Sequence, residues 1–137
     1  MRDTPHVYVT REIPTAGLDR LEDECEVFIW DDPVAPPHDR LVERLADIEA
    51  DGLFCNVADT VDAEVMDASP NLRAIATMSV GYDHIDLEAA AERDIAVGHT
   101  PGVLSETTAD LAWALLMAAA RRVVEADRQV QDGEWNA

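Results

Sequence analysis

The stretch MSVGYDHIDLEAAAERDIAVGHTPGVLSETTAD, residues 78–110, decides the fold of this chain. It begins at the end of an apolar run, breaks at Gly81, passes through an Ala/Glu-rich segment into a second apolar run at 95–97, and turns again at Gly102. Strand, glycine loop, helix and strand in this order are typical of a parallel sheet. Because ligands of such sheets bind outside the carboxyl ends of the strands, we expect the functional site at these two glycine turns.

The rest of the chain repeats this alternation of short apolar runs and amphipathic segments. Residues 52–57 are apolar on both faces, which favours a central parallel strand. Five β-α units of this spacing predict an α/β fold, a flavodoxin-like doubly wound parallel sheet of five strands in the order 2-1-3-4-5. The predicted strands are 6–10, 26–30, 52–57, 73–78 and 95–98, and the predicted helices between them are 16–23, 38–46, 62–69 and 87–93.

Residue types predict two of the helix ends in particular. Asp62 is a predicted N-cap, flanked by Val61 and Met66 at the spacing of a hydrophobic staple. That helix must end before Pro70, which cannot continue it. Asp94 stands where a helix often ends in the left-handed conformation, which aspartate tolerates.

The final segment is longer and more apolar than closure of the sheet requires. It is predicted to run as one helix from Ser105 to about Asp132, spanning roughly 40 Å. Residues 111–120 are apolar on every side, so something must cover them all round. We therefore divide the chain into a flavodoxin-like domain at 1–104 and a long interdomain-type helix at 105–137.

Composition and charge limit the class of protein. The 137 residues carry a net charge of −19, and all ten basic residues are arginine. We interpret this as a solvated surface adapted to high salt; the alternative is a merely acidic mesophilic protein. Nucleic acid requires a basic face, so it is not an expected partner.

Nothing in the sequence indicates export, a membrane or a metal. The N-terminus has no apolar signal region, and the apolar run 111–120 is too short to cross a bilayer, so we predict a cytoplasmic protein without a membrane partner. Cys25 and Cys55 lie in apolar runs and are interpreted as buried thiols. The four histidines have no metal-ligand spacing, so no metal is expected.

The loop of residues 79–82 is the best candidate binding site. A glycine after a strand allows successive amide N–H groups to converge on an anion, as in a backbone nest, although an ordinary turn fits the same residues. Tyr82, Asp83 and His84 suggest an acid/base cluster only by being adjacent in sequence, and a surface turn is the better interpretation. Thr107 and Thr108 stand in the first turn of the last helix, as ligand contacts or simple caps.

Several nucleotide-binding signatures are missing. The sequence has no GxGxxG and no P-loop, and residues 11–17 make a poor cradle for the phosphate of FMN. Asp59 follows the third predicted strand at a position suggestive of a phosphate-accepting receiver domain. Receivers characteristically use a lysine after the fifth strand, and this chain has no lysine, so the receiver is disfavoured.

Five motifs in order resemble the D-isomer-specific 2-hydroxyacid dehydrogenases, most closely the glyoxylate/hydroxypyruvate reductase branch. They are VDAEVMD at 61–67, SVGYDHID at 79–86, TPGVL at 100–104, TAD at 108–110 and GEW at 133–135. The resemblance is strong from Gly52 to Trp135 and weak before that. Each motif alone is modest, but five at the right spacing are highly specific.

The resemblance implies a substrate-binding domain interrupted by a Rossmann domain that binds NAD or NADP, in a homodimeric oxidoreductase acting on small 2-oxo and 2-hydroxy acids. It implies that Val80 and Gly81 offer backbone amides to the substrate carboxylate and that Asn56 lines the substrate pocket. It also implies that Thr108 lies near the nicotinamide, and it explains a long helix between two domains.

The chain departs from the family pattern at its end. The family's catalytic arginine, glutamate and histidine, and its glycine fingerprint, lie beyond the point that matches Ala137, so we expect no catalytic residue in this chain. We therefore expect a truncated, substrate-binding portion that is inactive alone, with the Rossmann domain missing. The alternative is a non-catalytic flavodoxin-like module that uses its exposed helix for association.

Overall fold

The computed structural model describes residues 4–134 and contains a five-stranded sheet. The strands are β1 (His6–Val9), β2 (Glu26–Ile29), β3 (Gly52–Cys55), β4 (Ala74–Thr77) and β5 (Ala96–Gly98). Their order is β2-β1-β3-β4-β5, and every neighbouring pair is parallel. The predicted flavodoxin-like α/β sheet and its strand order are confirmed.

Four helices connect successive strands and cover the sheet. The amphipathic second helix buries Leu41 and Leu45 against a core that includes Leu53 of β3 and Ile75 of β4. Complete burial of such a side chain stabilises the fold by roughly 1.5–3 kcal/mol. The helices are α1 (Thr15–Glu22), α2 (His38–Asp47), α3 (Ala63–Asp67) and α4 (Leu87–Glu92).

The predicted helix ends on either side of β4 are present. The Asp62 carboxylate accepts a hydrogen bond of 3.1 Å from the Val65 amide and caps α3, and both Val61 and Met66 are buried beside it. Asp94, after α4, has a φ of 54° and so adopts the predicted left-handed conformation. These two aspartates direct the chain into and out of the β4–α4 unit that carries the candidate loop.

The predicted single helix from Ser105 to about Asp132 is wrong. The chain forms α5 (Ser105–Ala120) and α6 (Val123–Gln131), separated by a break at Arg122, whose φ is 51°. The Arg122 amide donates to Ala119 O at 3.2 Å, a tightened last turn that ends α5. An arginine in the left-handed region costs about 1–3 kcal/mol and has no sequence signature, unlike glycine or proline.

The chain divides into two compact units, one ending at Pro101 and one beginning at Gly102. Within the second unit, α5 leaves its large apolar side chains exposed, with Trp113 at 65% exposure and Leu116 at 57%. Between residues 4 and 134, no helix combines the length and the apolar character needed to span a membrane.

Candidate functional site

The candidate loop leaves the sheet at the carboxyl end of β4. Thr77 is the last residue of the strand, and Thr77 and Ser79 are buried, whereas Val80 and Gly81 are exposed. The loop is tied to the neighbouring strand ends, because the Met78 amide donates to Cys55 O of β3 at 3.3 Å. It is therefore an exposed turn on a rigid base, at the edge of the sheet where ligands of this fold class bind.

Both carbonyls at the tip of the loop are occupied by side chains of the same protein. The Val80 carbonyl oxygen lies 2.9 Å from His99 Nδ1. The Gly81 carbonyl oxygen accepts a hydrogen bond of 2.6 Å from Ser79 Oγ. In the part of the chain that the structure describes, the amides of Val80, Gly81 and Tyr82 make no hydrogen bond. The loop therefore presents donors, not acceptors, to a ligand.

Gly81 does not use the left-handed freedom for which a glycine nest is known. Its φ is not positive, and a Cβ added there would meet only Asp83 Oδ2, at 3.9 Å. The expected convergence of amides through a left-handed glycine is thus not how this loop is built. Instead the absence of a side chain leaves the space in front of the loop open.

A buried chain of polar side chains supports the loop from beneath. Thr77 Oγ1 lies 2.7 Å from Ser79 Oγ and 3.0 Å from His84 Nε2. Tyr82 and Asp83 are exposed, as a surface turn predicts, but His84 is half-buried and turns towards the strand end. The interpretation of residues 82–84 as a surface turn missed this inward histidine. The available signal was the apolar Ile85 directly after His84, which is buried in the core.

The cysteine nearest this cluster is not a nucleophile. Cys55 is buried, and its Sγ lies 3.9 Å from His84 Nε2. Burial, reinforced by the charge of Asp59, raises the pKa of the Cys55 thiol to about 12. The thiol therefore stays protonated at neutral pH and lacks the thiolate that nucleophilic chemistry requires. Cys55 is buried as predicted, whereas Cys25 is only half-buried.

A second polar cluster fixes the carboxyl end of β3. Asp59 is buried, and its Oδ2 accepts hydrogen bonds from the Asn56 amide at 2.7 Å and from Thr10 Oγ1 at 2.6 Å. Thr10 follows β1 and Asn56 follows β3, so Asp59 joins two neighbouring strands. In a sheet of this order the topological switch point lies between β1 and β3. The half-buried Asn56 is thus held at the switch point.

The same geometry argues against a receiver domain. A receiver needs an aspartate whose oxygen is free to accept a phosphoryl group from solvent. Asp59 is only 4% exposed: its Oδ2 accepts two short hydrogen bonds, and its Oδ1, although without a partner among the described residues, is buried and closed to solvent. Its role is to hold the ends of β1 and β3 together.

The two threonines of α5 differ in their local bonding. Thr107 Oγ1 donates a hydrogen bond of 3.1 Å to Leu104 O, so this side chain bonds within its own helix turn, as the capping alternative predicts. The Thr108 amide donates to the same carbonyl at 2.9 Å, and the exposed Thr108 hydroxyl has no partner among residues 4–134. The hydroxyl of Thr108 is therefore available to a ligand, and its nicotinamide role stays a prediction.

The described residues do not by themselves form a dinucleotide cradle. The loop after β1, residues 11–17, has no glycine-rich turn, and no GxGxxG occurs anywhere in the sequence. Residues 4–134 contain no cluster of three histidine, cysteine or acidic residues able to hold a metal ion. An open cleft of about 670 Å³ at the ends of β1 and β2 is lined by Arg11, Trp30 and Asp31 and does not include the candidate loop.

The architecture defines the class of protein: a doubly wound α/β domain, a fold whose members bind ligands at the carboxyl edge of the sheet. Residues 7–133 match the family model described as "D-isomer specific 2-hydroxyacid dehydrogenase, catalytic domain". The chain belongs to this family.

Relatives named glyoxylate reductase share much of the sequence. Those of Korarchaeum cryptofilum and Thermococcus litoralis are 53% and 49% identical over 131 residues, 96% of this chain. The chain spans 39% of the length of each.

Solved structures agree with the family assignment. The TT0316 protein of Thermus thermophilus is 50% identical, with a TM-score of 0.81 over 96% of this chain and 42% of that one. The NADPH-dependent glyoxylate/hydroxypyruvate reductase of Sinorhizobium meliloti, solved with NADP and malonate, is 31% identical with a TM-score of 0.74, over 96% of this chain and 39% of that one.

Proposed function

We propose that this chain supplies the substrate-carboxylate site of a D-2-hydroxyacid dehydrogenase that acts on small 2-oxo acids of the glyoxylate and hydroxypyruvate type. The observation that carries the proposal is the polarity of the loop after β4. The carbonyl oxygens at its tip accept hydrogen bonds from side chains of the same chain. The amides of Val80, Gly81 and Tyr82 are free to donate. Hydrogen bonds from amides to a carboxylate are charge-assisted and roughly twice as strong as neutral ones.

Asn56 and the charge of the chain bear on the same proposed site. Asn56, fixed by Asp59 at the end of the adjacent strand, would line the pocket and contact the polar atoms next to the carboxylate. The sequence has a net charge of −19, which repels a free anion, so the anion needs local hydrogen-bond donors to bind. Backbone amides supply such donors without adding a basic side chain.

The remaining parts of the reaction lie mainly outside this chain in our proposal. NAD or NADP would supply the hydride and would be bound chiefly by a Rossmann domain, with Thr108 as the one contact from these residues. Residues 1–104 would be the substrate-binding domain and 105–137 the segment leading to the Rossmann domain. The acid/base residues would also belong to the Rossmann domain in this proposal, so we expect the 137-residue chain alone not to oxidise NADH or NADPH with glyoxylate.

Ligand-dependent stabilisation tests the carboxylate site. A ligand that binds only the folded state raises the free energy of unfolding by RT ln(1 + [L]/Kd). At an ionic strength held constant with KCl, the thermal midpoint of the chain should therefore rise with glyoxylate concentration, and it should not rise with glycolaldehyde, which lacks the carboxylate. A midpoint that responds equally to both compounds, or to neither, would refute the proposal.

A glycine substitution sharpens this test. At Gly81 the backbone accepts a side chain, so Gly81→Val should fold with a midpoint near that of the wild type while it shields the neighbouring amides. Gly98 is equally open, with nothing within 4 Å of an added Cβ, and Gly98→Val is the matched control. We expect the response to glyoxylate to disappear in Gly81→Val and to persist in Gly98→Val.

The exposed helix α5 favours a second candidate function, that of an association module. Leu111, Leu115 and Met117 are also exposed on this helix, beside Trp113 and Leu116. An apolar surface of this kind marks a protein interface, and in the family it would be shared with a second domain and with the partner of a homodimer. Sedimentation in high salt should show self-association that Leu116→Glu abolishes. A strictly monomeric wild type would exclude association through α5.

A further inference from the structure

The hydrogen-bonded chain beneath the loop has only one consistent direction. Ser79 Oγ carries one hydrogen, and the Gly81 carbonyl can only accept, so Ser79 donates to it. The contact of 2.7 Å between Thr77 and Ser79 must then have Thr77 as the donor. With its single hydrogen used, Thr77 Oγ1 can only accept from His84 Nε2 at 3.0 Å. His84 therefore carries a proton on Nε2.

The other carbonyl of the loop fixes a second histidine. Val80 O can only accept, so His99 donates from Nδ1 over the distance of 2.9 Å. The ring of His99 is also steadied by Tyr82, edge to face, with the ring centroids 5.2 Å apart. The two histidines thus bond through opposite ring nitrogens, Nε2 in His84 and Nδ1 in His99.

Holding a carbonyl also orients an amide. In a trans peptide the C=O and the following N–H point in opposite directions within one plane. His99, by holding Val80 C=O, aims the Gly81 amide. His84, acting through Thr77 and Ser79, holds Gly81 C=O and so aims the Tyr82 amide.

We propose that His84 and His99 are positioning residues for substrate carboxylate binding, a role that rests on the proposed function. Each histidine sets the direction of one donor amide, His99 by direct contact and His84 through two buried hydroxyl groups. Neither side chain itself contacts the carboxylate in this scheme. The specificity for a carboxylate over a neutral group then follows from two peptide planes that cannot turn their oxygens outward.

The tautomers provide a test that needs no ligand. Long-range ¹H–¹⁵N spectra in mildly alkaline buffer distinguish a ring protonated on Nε2 from one protonated on Nδ1. We expect the Nε2–H form for His84 and the Nδ1–H form for His99. An Nδ1–H form at His84 would overturn the directed chain, whatever the protein binds.

A pair of serine variants tests the effect on binding. Ser79 and Ser69 are both buried, and each hydroxyl donates to a backbone carbonyl, Ser69 to Ala50 at 2.8 Å. Both Ser→Ala variants lose that bond, and Ser79→Ala also leaves the buried Thr77 hydroxyl without its acceptor, so Ser79→Ala should lose more stability than Ser69→Ala. Ser79→Ala should also weaken glyoxylate binding, measured by amide chemical shifts, by roughly three- to tenfold, whereas Ser69→Ala should bind as the wild type does. If the two variants bound glyoxylate with equal affinity, the positioning role would be overturned, and the proposed carboxylate site would not be affected.

Variants of His84 separate positioning from packing. His84→Gln retains an N–H donor near Nε2, and His84→Leu removes it. We expect His84→Gln to keep most of the affinity for glyoxylate and His84→Leu to match Ser79→Ala. If His84→Leu bound as tightly as His84→Gln, the relay would be refuted. If glyoxylate did not shift the amide signals of the wild type while both tautomers were as stated, the proposed function would fail and the positioning role with it.

Discussion

At the scale of single residues, the site depends on hydroxyl groups and histidines that are polar but largely hidden. Thr77, Ser79 and Thr10 are all buried, and each forms a hydrogen bond at a strand end. A buried donor left without a partner costs about 1–3 kcal/mol. These side chains therefore hold the loops firmly as long as each bond is made, which is what a small rigid anion site requires.

The N-cap of α3 gives a residue-scale prediction with a defined pH dependence. Desolvation pushes the pKa of Asp62 up, but the hydrogen bonds from the Val65 amide and from His38 outweigh it and leave the pKa below the usual 3.8. A folded-state pKa below the unfolded one means that the stabilisation is present above pH 3.8 and is lost as the pH falls through the folded value. Asp62→Ala should cost about 0.5–2 kcal/mol at pH 7.

Chemical denaturation across pH measures this loss. The difference between wild type and Asp62→Ala should shrink in acid, below pH 3.8. Asp62→Asn keeps an oxygen for the Val65 amide and should retain most of the stability at pH 7. A difference that stays constant down to strongly acidic pH would show that ionised Asp62 does not support the cap.

Much of this residue-scale detail could not be predicted from the sequence. Asp62 and Asp94 were predictable because aspartate has few reasons to stand at those helix ends other than capping and left-handed turns. His84 was not, because its inward rotation depends on a tertiary contact with Thr77 on β4. The roles of Val80, Gly81 and Asn56 remain predictions, supported by the free amides and by Asp59.

At the scale of elements, sequence periodicity predicted the sheet well and the last helix poorly. The strands were predictable because short apolar runs bounded by Gly, Pro and Asp have few alternatives in a chain of this length. The break between α5 and α6 falls at Arg121 and Arg122, two good helix formers. Only a backbone conformation with positive φ reveals it, and residue type does not encode that conformation.

A glycine at the break provides the element-scale prediction. In the left-handed region glycine avoids the Cβ penalty, so Arg122→Gly should raise the free energy of unfolding by about 1 kcal/mol. The ion pair between Arg122 and Glu125 is 3.6 Å long and exposed, so its loss matters little. Arg128→Gly, inside α6, should instead cost about 1 kcal/mol. If both variants destabilised alike, as measured by urea unfolding, residues 105–132 would form one continuous helix.

At the scale of the whole molecule, the dominant property is charge. With −19 net charges on 137 residues and no lysine, like-charge repulsion opposes the compact state in dilute buffer. The ion pairs of the described residues, such as Arg93 with Asp67 at 2.7 Å, are too few to neutralise this excess. The expected adaptation to high salt follows from this imbalance and stays a prediction.

Thermal melts across a KCl series test the effect of charge. Screening shortens the range of repulsion from about 10 Å at 0.1 M to about 3 Å at 1 M salt. The midpoint of unfolding should therefore rise steadily as the KCl concentration approaches molar values. A midpoint that stays constant or falls would mean that repulsion between the acidic side chains does not destabilise the fold, and the interpretation as a surface adapted to high salt would be wrong.

The central claim is that a small carboxylate binds to the amides at the tip of the loop after β4. The most direct measurement is a ¹H–¹⁵N correlation spectrum of the chain titrated with glyoxylate, with glycolaldehyde as the neutral control. We predict that the amide signals of Gly81 and Tyr82 shift progressively with glyoxylate and stay in place with glycolaldehyde, while the signal of core residue Leu45 does not move. Saturating shifts elsewhere in the chain, with Gly81 and Tyr82 unchanged, would contradict the claim.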